Sequence, residues 1–388
     1  MNQAPFKILP SLQPYSWGGD TYISSFLGRQ KSNEKIAEAW YGDHHLGSSV
    51  IAGTDTNLSS WIKSNLFSLG QESIDKFGTQ LPFLLKILDV KDMLSIQLHP
   101  TKEAAEIGFN FENEIGIPLN APHRNYKDRN HKPEILFALS DFWMLQGFAP
   151  IEEIKTRFEN VLPDWKIDKN EDWESLLNKV LDLNANDGLL AFKNLVSNLT
   201  KVNTRDKNQI YHWLAKAIET YPIQNDKIDI GFIMMLLLHV QYLKPGQVGY
   251  QAPGVLHAYL EGQNIELMAS SDNVLRGGLT PKHIDMPELK KHVDFSRAGQ
   301  CLIPAIYIME DEAAFTPPVI DFMLKHFCVK QNVVKELQFE TASILLIWEG
   351  VIRVNEQLYS KGESVFIPAY AKVDVLTISE AAVFFLSL

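Results

Sequence analysis

Cysteine is nearly absent: Cys301 and Cys328 are the only two in 388 residues. A disulfide framework and a thiolate-built zinc site are therefore excluded, and the reducing cytoplasm is the expected setting. Positive charge is in deficit. Lys and Arg total 36 against 47 Asp and Glu, a net charge of −11, the wrong sign for a surface that neutralises a phosphate backbone. Nucleic acid is not an expected partner, and an anionic small substrate must be held by a few locally placed cations working against the overall field. Long apolar runs are missing too. The longest, 232–238, is far short of the roughly 20 residues that span a bilayer, and residues 1–19 hold one Lys and no apolar run, so neither a membrane nor a secretory signal is expected. Low-complexity segments and Gly/Ser linkers are also lacking, which predicts closely packed units. What is present is 45% hydrophobic and 21% charged residues, the composition of a soluble globular chain too long for one core.

The chain reads in three styles. In 94–99, Leu94, Ile96 and Leu98 alternate with Ser95, Gln97 and His99, the period of a strand with one face in the core. Pro100 closes it, and 110–130, rich in Asn, Pro and charge without periodicity, reads as a long ordered loop. Between about 150 and 238 the spacing turns helical, with Leu176, Leu177 and Val180 on one face and Trp213, Leu214 and Ala217 on another. Asp206 and Asp229 are placed as N-caps, and breaks at 184–187 and 224–226 separate helices. From 243 onward Gly and Pro punctuate short β-branched and aromatic runs, the grammar of antiparallel barrels. KGESVFIPA near the C-terminus echoes KPGQVGYQAP but has no histidine matching His257. The expected fold is mainly β with a helical insert.

Chemistry concentrates in few places. Gln97 and His99 lie two apart on the polar face of one strand, roughly 6 to 7 Å apart at the backbone, a spacing that suits two ligands of one metal. Glu134 follows the rigid Pro133, and His257 lies in the turn-rich segment. One Gln oxygen, one Glu oxygen and two imidazoles would make an N2O2 site compatible with zinc. Arg276, followed by Gly277 and Gly278 that would let a ligand approach the backbone, is a candidate cation, as are Lys132 and Lys282. Glu266 and Asp272 are candidate acid or base groups, with His131 and His44 further candidates.

LPFLLKILDVKDMLSIQLHP, HKPE, YQAPGVLHAYLEG and IELMASSDNVLRGGLTPK resemble, in that order, signature segments of the class I mannose-6-phosphate isomerases, zinc enzymes with cupin-type barrels. LQPYSWGG and AEAWYGDHHLGSS are similar to that family's N-terminal motifs. The resemblance implies two cupin or jelly-roll-type barrels plus an all-α domain: 1–149 with 239–300 as the catalytic barrel, 150–238 as the helical insert, and 301–388 as a second barrel without metal. It implies one zinc per chain on Gln97, His99, Glu134 and His257, Arg276 as the catalytic arginine, and Lys132 and Glu266 in the substrate site; for the base that moves the sugar proton Glu266 is the first choice, with His131 or a zinc-bound water as alternatives. Ser95, His131, Lys282 and Asp272 are then candidates for holding a phosphosugar. The alternative is a non-catalytic sugar-phosphate-binding cupin. A monomer or weak homo-oligomer is expected. The sequence departs from the family pattern at Asp43-His44-His45, at Gly277 and at Ala149.

Overall fold

A computed structural model describes residues 4–30, 34–168, 170–221, 228–297 and 302–388. Cys301 and the break expected at 224–226 lie outside the described residues. The chain is mainly β, with sheets of eight, eleven and four strands, and helices gathered largely between Ile151–Val161 and Gly231–Met234. In the described residues no helix is long and apolar enough to cross a membrane.

The strand His257–Ala269 organises the eleven-stranded sheet. Its first residues pair with Ile96–Leu98 and Phe142–Phe148, and its later ones with Phe83–Val90 and Glu134–Ala138. One strand can serve both sets because the register shifts between Tyr259 and Glu261. Gly262 follows at φ 126°, where an added Cβ would stand 2.5 Å from the Asp141 carbonyl oxygen, so only glycine fits the bend. The LKPGQ segment makes the expected tight turn: Gln247 N–H donates to the Lys244 carbonyl at 3.0 Å, with Pro245 before Gly246 at φ 88°. It does not close a hairpin. Leu238–Leu243 pairs with Phe142–Phe148, whereas Val248–Gln251 pairs with Glu134–Ala138, so the turn passes the chain between partners.

The helices and the strand Ile96–Leu98 share one core. Phe158, Leu177, Leu195 and Trp213 pack with 232–238 and with Ile96, Leu98 and Leu275. Burying Ile96 and Leu98 against the helices turns Ser95 and Gln97 to the opposite side, which is how the alternation of apolar and polar residues is used. Two capping expectations are corrected. Helix Ile210–Thr220 starts after Gln209, not at Asp206, whose carboxylate accepts from Asn208 N–H at 2.9 Å. Asp229 precedes the N-cap Ile230 and bridges Gly231 N–H and Thr280 N–H, both at 2.8 Å. Asp172 and Asn184 cap the helices they precede. The loop expected over 110–130 is shorter: helix Lys102–Glu114, capped by Thr101, claims its start. Asn110 and Asn113 are tolerated there because they lie on the helix exterior and bond Arg129 and Arg124 of the loop that follows.

The eight-stranded sheet is not built from the C-terminal segment alone. Phe6–Leu9 pairs with Ser364–Ile367 and with Val50–Ile51, which ties the N-terminal strand to the last part of the chain.

Candidate metal centre and active site

Glu134 opens its strand directly after Pro133, His257 opens the long strand, and His99 follows Ile96–Leu98. The three side chains meet, with one ligand atom from each lying within 4.8 Å of the others. His99 Nε2 is 3.4 Å from Glu134 Oε1, and His257 Nε2 is 3.8 Å from Glu134 Oε2. Both rings are oriented from behind by main-chain oxygens: His99 Nδ1 lies 2.8 Å from the Asn273 carbonyl, and His257 Nδ1 lies 2.9 Å from the Val255 carbonyl. A carbonyl can only accept, so each Nδ1 carries the proton and each Nε2 presents a lone pair inward.

Burial, with the nearby Lys132, pushes the His99 imidazole below its ordinary value, and burial with His99 beside it takes His257 down to about 4. Burial works against ionisation of Glu134, but Lys132, 2.9 Å from Oε1, and His99 hold it well below the usual carboxylate range. The set is thus two neutral imidazoles and one carboxylate. His99 Nε2, His257 Nε2 and Glu134 Oε2 are buried without a hydrogen-bond partner among the described residues. Three unpaired buried atoms aimed at one point would each cost about 1 to 3 kcal/mol, and a divalent cation is the ligand that satisfies all three. Gln97 joins them by register. Arg276 pairs with Gln97, Gln97 with His257 and His257 with Gln146, and directly paired residues project to the same face.

The same burial gives a testable pH dependence. In the metal-free protein the His257 pKa is lowered from 6.5 to about 4, so between those values the unfolded chain binds a proton that the folded chain does not. Stability should fall as the pH drops through that window, His99 adding the same sign, and depressed Glu134 should extend the loss to lower pH. Denaturant unfolding of metal-free protein from neutral to acid pH reads this; His257→Gln should flatten the slope.

Beside these three residues lies a charged layer spread over the strand His257–Ala269 and the neighbouring strands Phe83–Val90 and Glu38–Tyr41. Lys86 Nζ is 3.0 Å from Glu266 Oε1 and 3.5 Å from Glu38 Oε2, and Tyr259 donates to Glu266 Oε2 at 2.8 Å. Burial disfavours the Lys86 charge, yet Glu266 and Glu38 keep it protonated above its ordinary range. Glu266 moves up, through burial and the charge of Glu134.

At the rim, Arg276 is half-buried and Lys282 exposed. Burial alone lowers the Arg276 value, with no carboxylate among the described residues compensating it, and burial followed by the Arg276 charge lowers Lys282. The glycines beside Arg276 serve packing, a correction to the expected ligand approach. A Cβ on Gly277 would meet Met234 Sδ at 3.1 Å and Ile96 Cγ2 at 3.2 Å, and one on Gly278 would meet Gly231 Cα at 2.4 Å. Asp272 lies 3.4 Å from both His44 Nε2 and His45 Nε2. This second histidine and carboxylate cluster differs from the first, because Leu46 N–H donates to His44 Nδ1 at 3.3 Å and neutral His44 then points a proton, not a lone pair, at Asp272. His131 Nε2 is engaged by Asp321 Oδ2 at 3.0 Å. Ser95 is half-buried just before the strand that carries Gln97.

Residues 5–151 match the family model of the phosphomannose isomerase type I catalytic domain. Mannose-6-phosphate isomerase of Escherichia coli (strain K12) is 36% identical, with 94% of each chain covered, and that of Homo sapiens is 32% identical, covering 89% of this chain and 88% of its own. The chain belongs to the type I phosphomannose isomerases. A crystal structure of the apo form of mannose 6-phosphate isomerase from Salmonella typhimurium superposes with a TM-score of 0.87 at 32% identity, and one of a zinc-bound holo mannose 6-phosphate isomerase with 0.85 at 32% identity, each covering 99% of both chains.

Three neighbours of the site in this phosphomannose isomerase chain, Lys86, Glu38 and Tyr259, escape a reading of the sequence. Lys86 sits inside the apolar run PFLLKILDV of a strand whose residues are all buried. That is itself a signal, since a lysine buried on both sides needs carboxylate partners. Gln146 and Asn273 escape it for want of any local pattern.

Proposed function

We propose that this chain interconverts D-mannose 6-phosphate and D-fructose 6-phosphate through a cis-enediolate, with one zinc ion on Gln97, His99, Glu134 and His257. The observation that carries the reading is the convergence of three buried, unpartnered donor atoms beside the strand Leu275–Gly278, which pairs with Ile96–Leu98 and carries Arg276, a cation that no carboxylate among the described residues compensates. Zinc held there would supply a Lewis acid that polarises the oxygens of the open-chain sugar.

The chain's own groups account for the remaining steps. Arg276, in register with Gln97, places fixed positive charge where the oxyanion develops. Glu266 is the base in this reading: burial and the charge of Glu134 raise its pKa, which strengthens it as a base, and Lys86 and Tyr259 hold its two oxygens in place for removing the proton at C2 and returning it at C1. Lys132, paired with Glu134, adds a second cation to the sugar end. Lys282 and Ser95 are assigned to the phosphate, whose remote contacts align the reacting carbons. Asp272 and His131 complete the sugar contacts. The same reading treats 1–149 with 239–300 and 301–388 as cupin-type barrels and 150–238 as a helical unit, with Phe6–Leu9 lent to the C-terminal sheet.

A non-catalytic sugar-phosphate binder has no need of a base with a raised pKa beside a complete donor set. A coupled assay for fructose 6-phosphate formation separates the two readings. Turnover should appear with the metal-loaded protein, vanish with chelator and return with added zinc; binding of mannose 6-phosphate without turnover would overturn the isomerase reading.

A further inference from the structure

We infer that Asn273 is a positioning residue for the metal centre, locking the backbone carbonyl that sets the His99 tautomer to the loop that leads through Lys132 into the strand opened by Glu134. This rests on the metal reading above and adds a residue to it.

Asn273 is fully buried, and its side chain spends its hydrogen bonds on one segment. Its Nδ2 donates to the Asp128 carbonyl at 2.9 Å, to Asp128 Oδ1 at 3.2 Å and to the Asn130 carbonyl at 2.8 Å. Its Oδ1 accepts from Lys127 N–H at 2.7 Å and from Asp128 N–H at 3.3 Å. The Asp128 carboxylate returns the contact, accepting from Asp272 N–H at 2.7 Å and Ser271 Oγ at 2.9 Å. Two stretches 145 residues apart are thereby interlocked. The main-chain carbonyl of Asn273, fixed by this lock, lies 2.8 Å from His99 Nδ1. Rotation of that peptide would withdraw the acceptor, and His99 could then move its proton to Nε2, the atom that must present a lone pair. The same segment continues into Arg276, so the lock joins a metal ligand, the loop that precedes a second ligand and the arginine assigned to the oxyanion.

The test uses full-length protein stripped of metal and titrated with zinc against a competing chelator, alongside long-range proton–nitrogen spectra of the histidine rings. Wild type should show His99 as a single Nδ1–H tautomer before zinc is added. Asn273→Ala should show mixed tautomers and bind zinc about 10- to 100-fold more weakly. Asp128→Asn, which keeps Asn273 and the side-chain shape, should move both readouts the same way and decides the matter if Asn273→Ala does not fold. A purely architectural role would lower the unfolding midpoint while leaving the tautomer and zinc affinity as in wild type, and that result in a folded variant overturns the proposal. Failure of the wild-type His99 and His257 signals to respond to zinc would overturn the metal reading and this proposal together, whereas a wild-type response with unaffected variants removes only the role of Asn273.

Discussion

His257→Ala is expected to leave the protein folded and nearly free of zinc, with turnover lowered by about 1,000-fold, roughly three decades in rate for the loss of several kcal/mol of Lewis-acid stabilisation. His257 contributes one of the three inward-facing donor atoms, and the other two, on His99 and Glu134, cannot hold a divalent ion with comparable affinity. The fold should survive, because the strand His257–Ala269 keeps its pairing along Phe83–Val90 and Glu134–Ala138. Metal content by elemental analysis and kcat by the coupled assay should fall together. A variant that keeps its zinc would remove His257 from the ligand set, and one that loses zinc without losing turnover would show that turnover does not need the metal.

Arg276→Ala should separate the two quantities. Its guanidinium pairs with no carboxylate in the described residues, so removing it strands no buried anion and the metal donors keep their orientation. Loss of one preorganised charge at a developing oxyanion costs about 100- to 1,000-fold in kcat, and zinc content should stay at the wild-type level. Arg276→Lys keeps the charge without the planar fork and should recover only part of the rate. Unchanged kcat in Arg276→Ala would show that the arginine does not face the reacting atoms.

What is readable in the sequence follows the range of the interactions involved. Ser95, Gln97 and His99 alternate with buried Ile96 and Leu98, so a local period exposes the strand and the side its polar residues take. Glu134 is marked by Pro133 in front of it. The Lys86 and Glu266 pair cannot be read this way, because its partners are 180 residues apart and meet only through the pairing of two long strands. The same holds for Asn273, whose side chain looks like any turn residue until the loop at 127–130 folds over it. Gly277 and Gly278 mislead for a related reason: small residues beside a candidate arginine admit either a ligand or a packed helix, and the neighbour is the helix Gly231–Met234. The end of helix Lys102–Glu114 reads as loop because Asn and Glu weaken its periodicity, whereas the cap at Thr101 and the arginine contacts at its far end compensate.

Anomalous diffraction at the zinc edge, on crystals of zinc-loaded protein, tests the central claim most directly. The expected result is one strong peak bounded by His99 Nε2, His257 Nε2, a Glu134 carboxylate oxygen and the Gln97 amide oxygen. A peak at His44, His45 and Asp272 with none between His99 and His257 would contradict it.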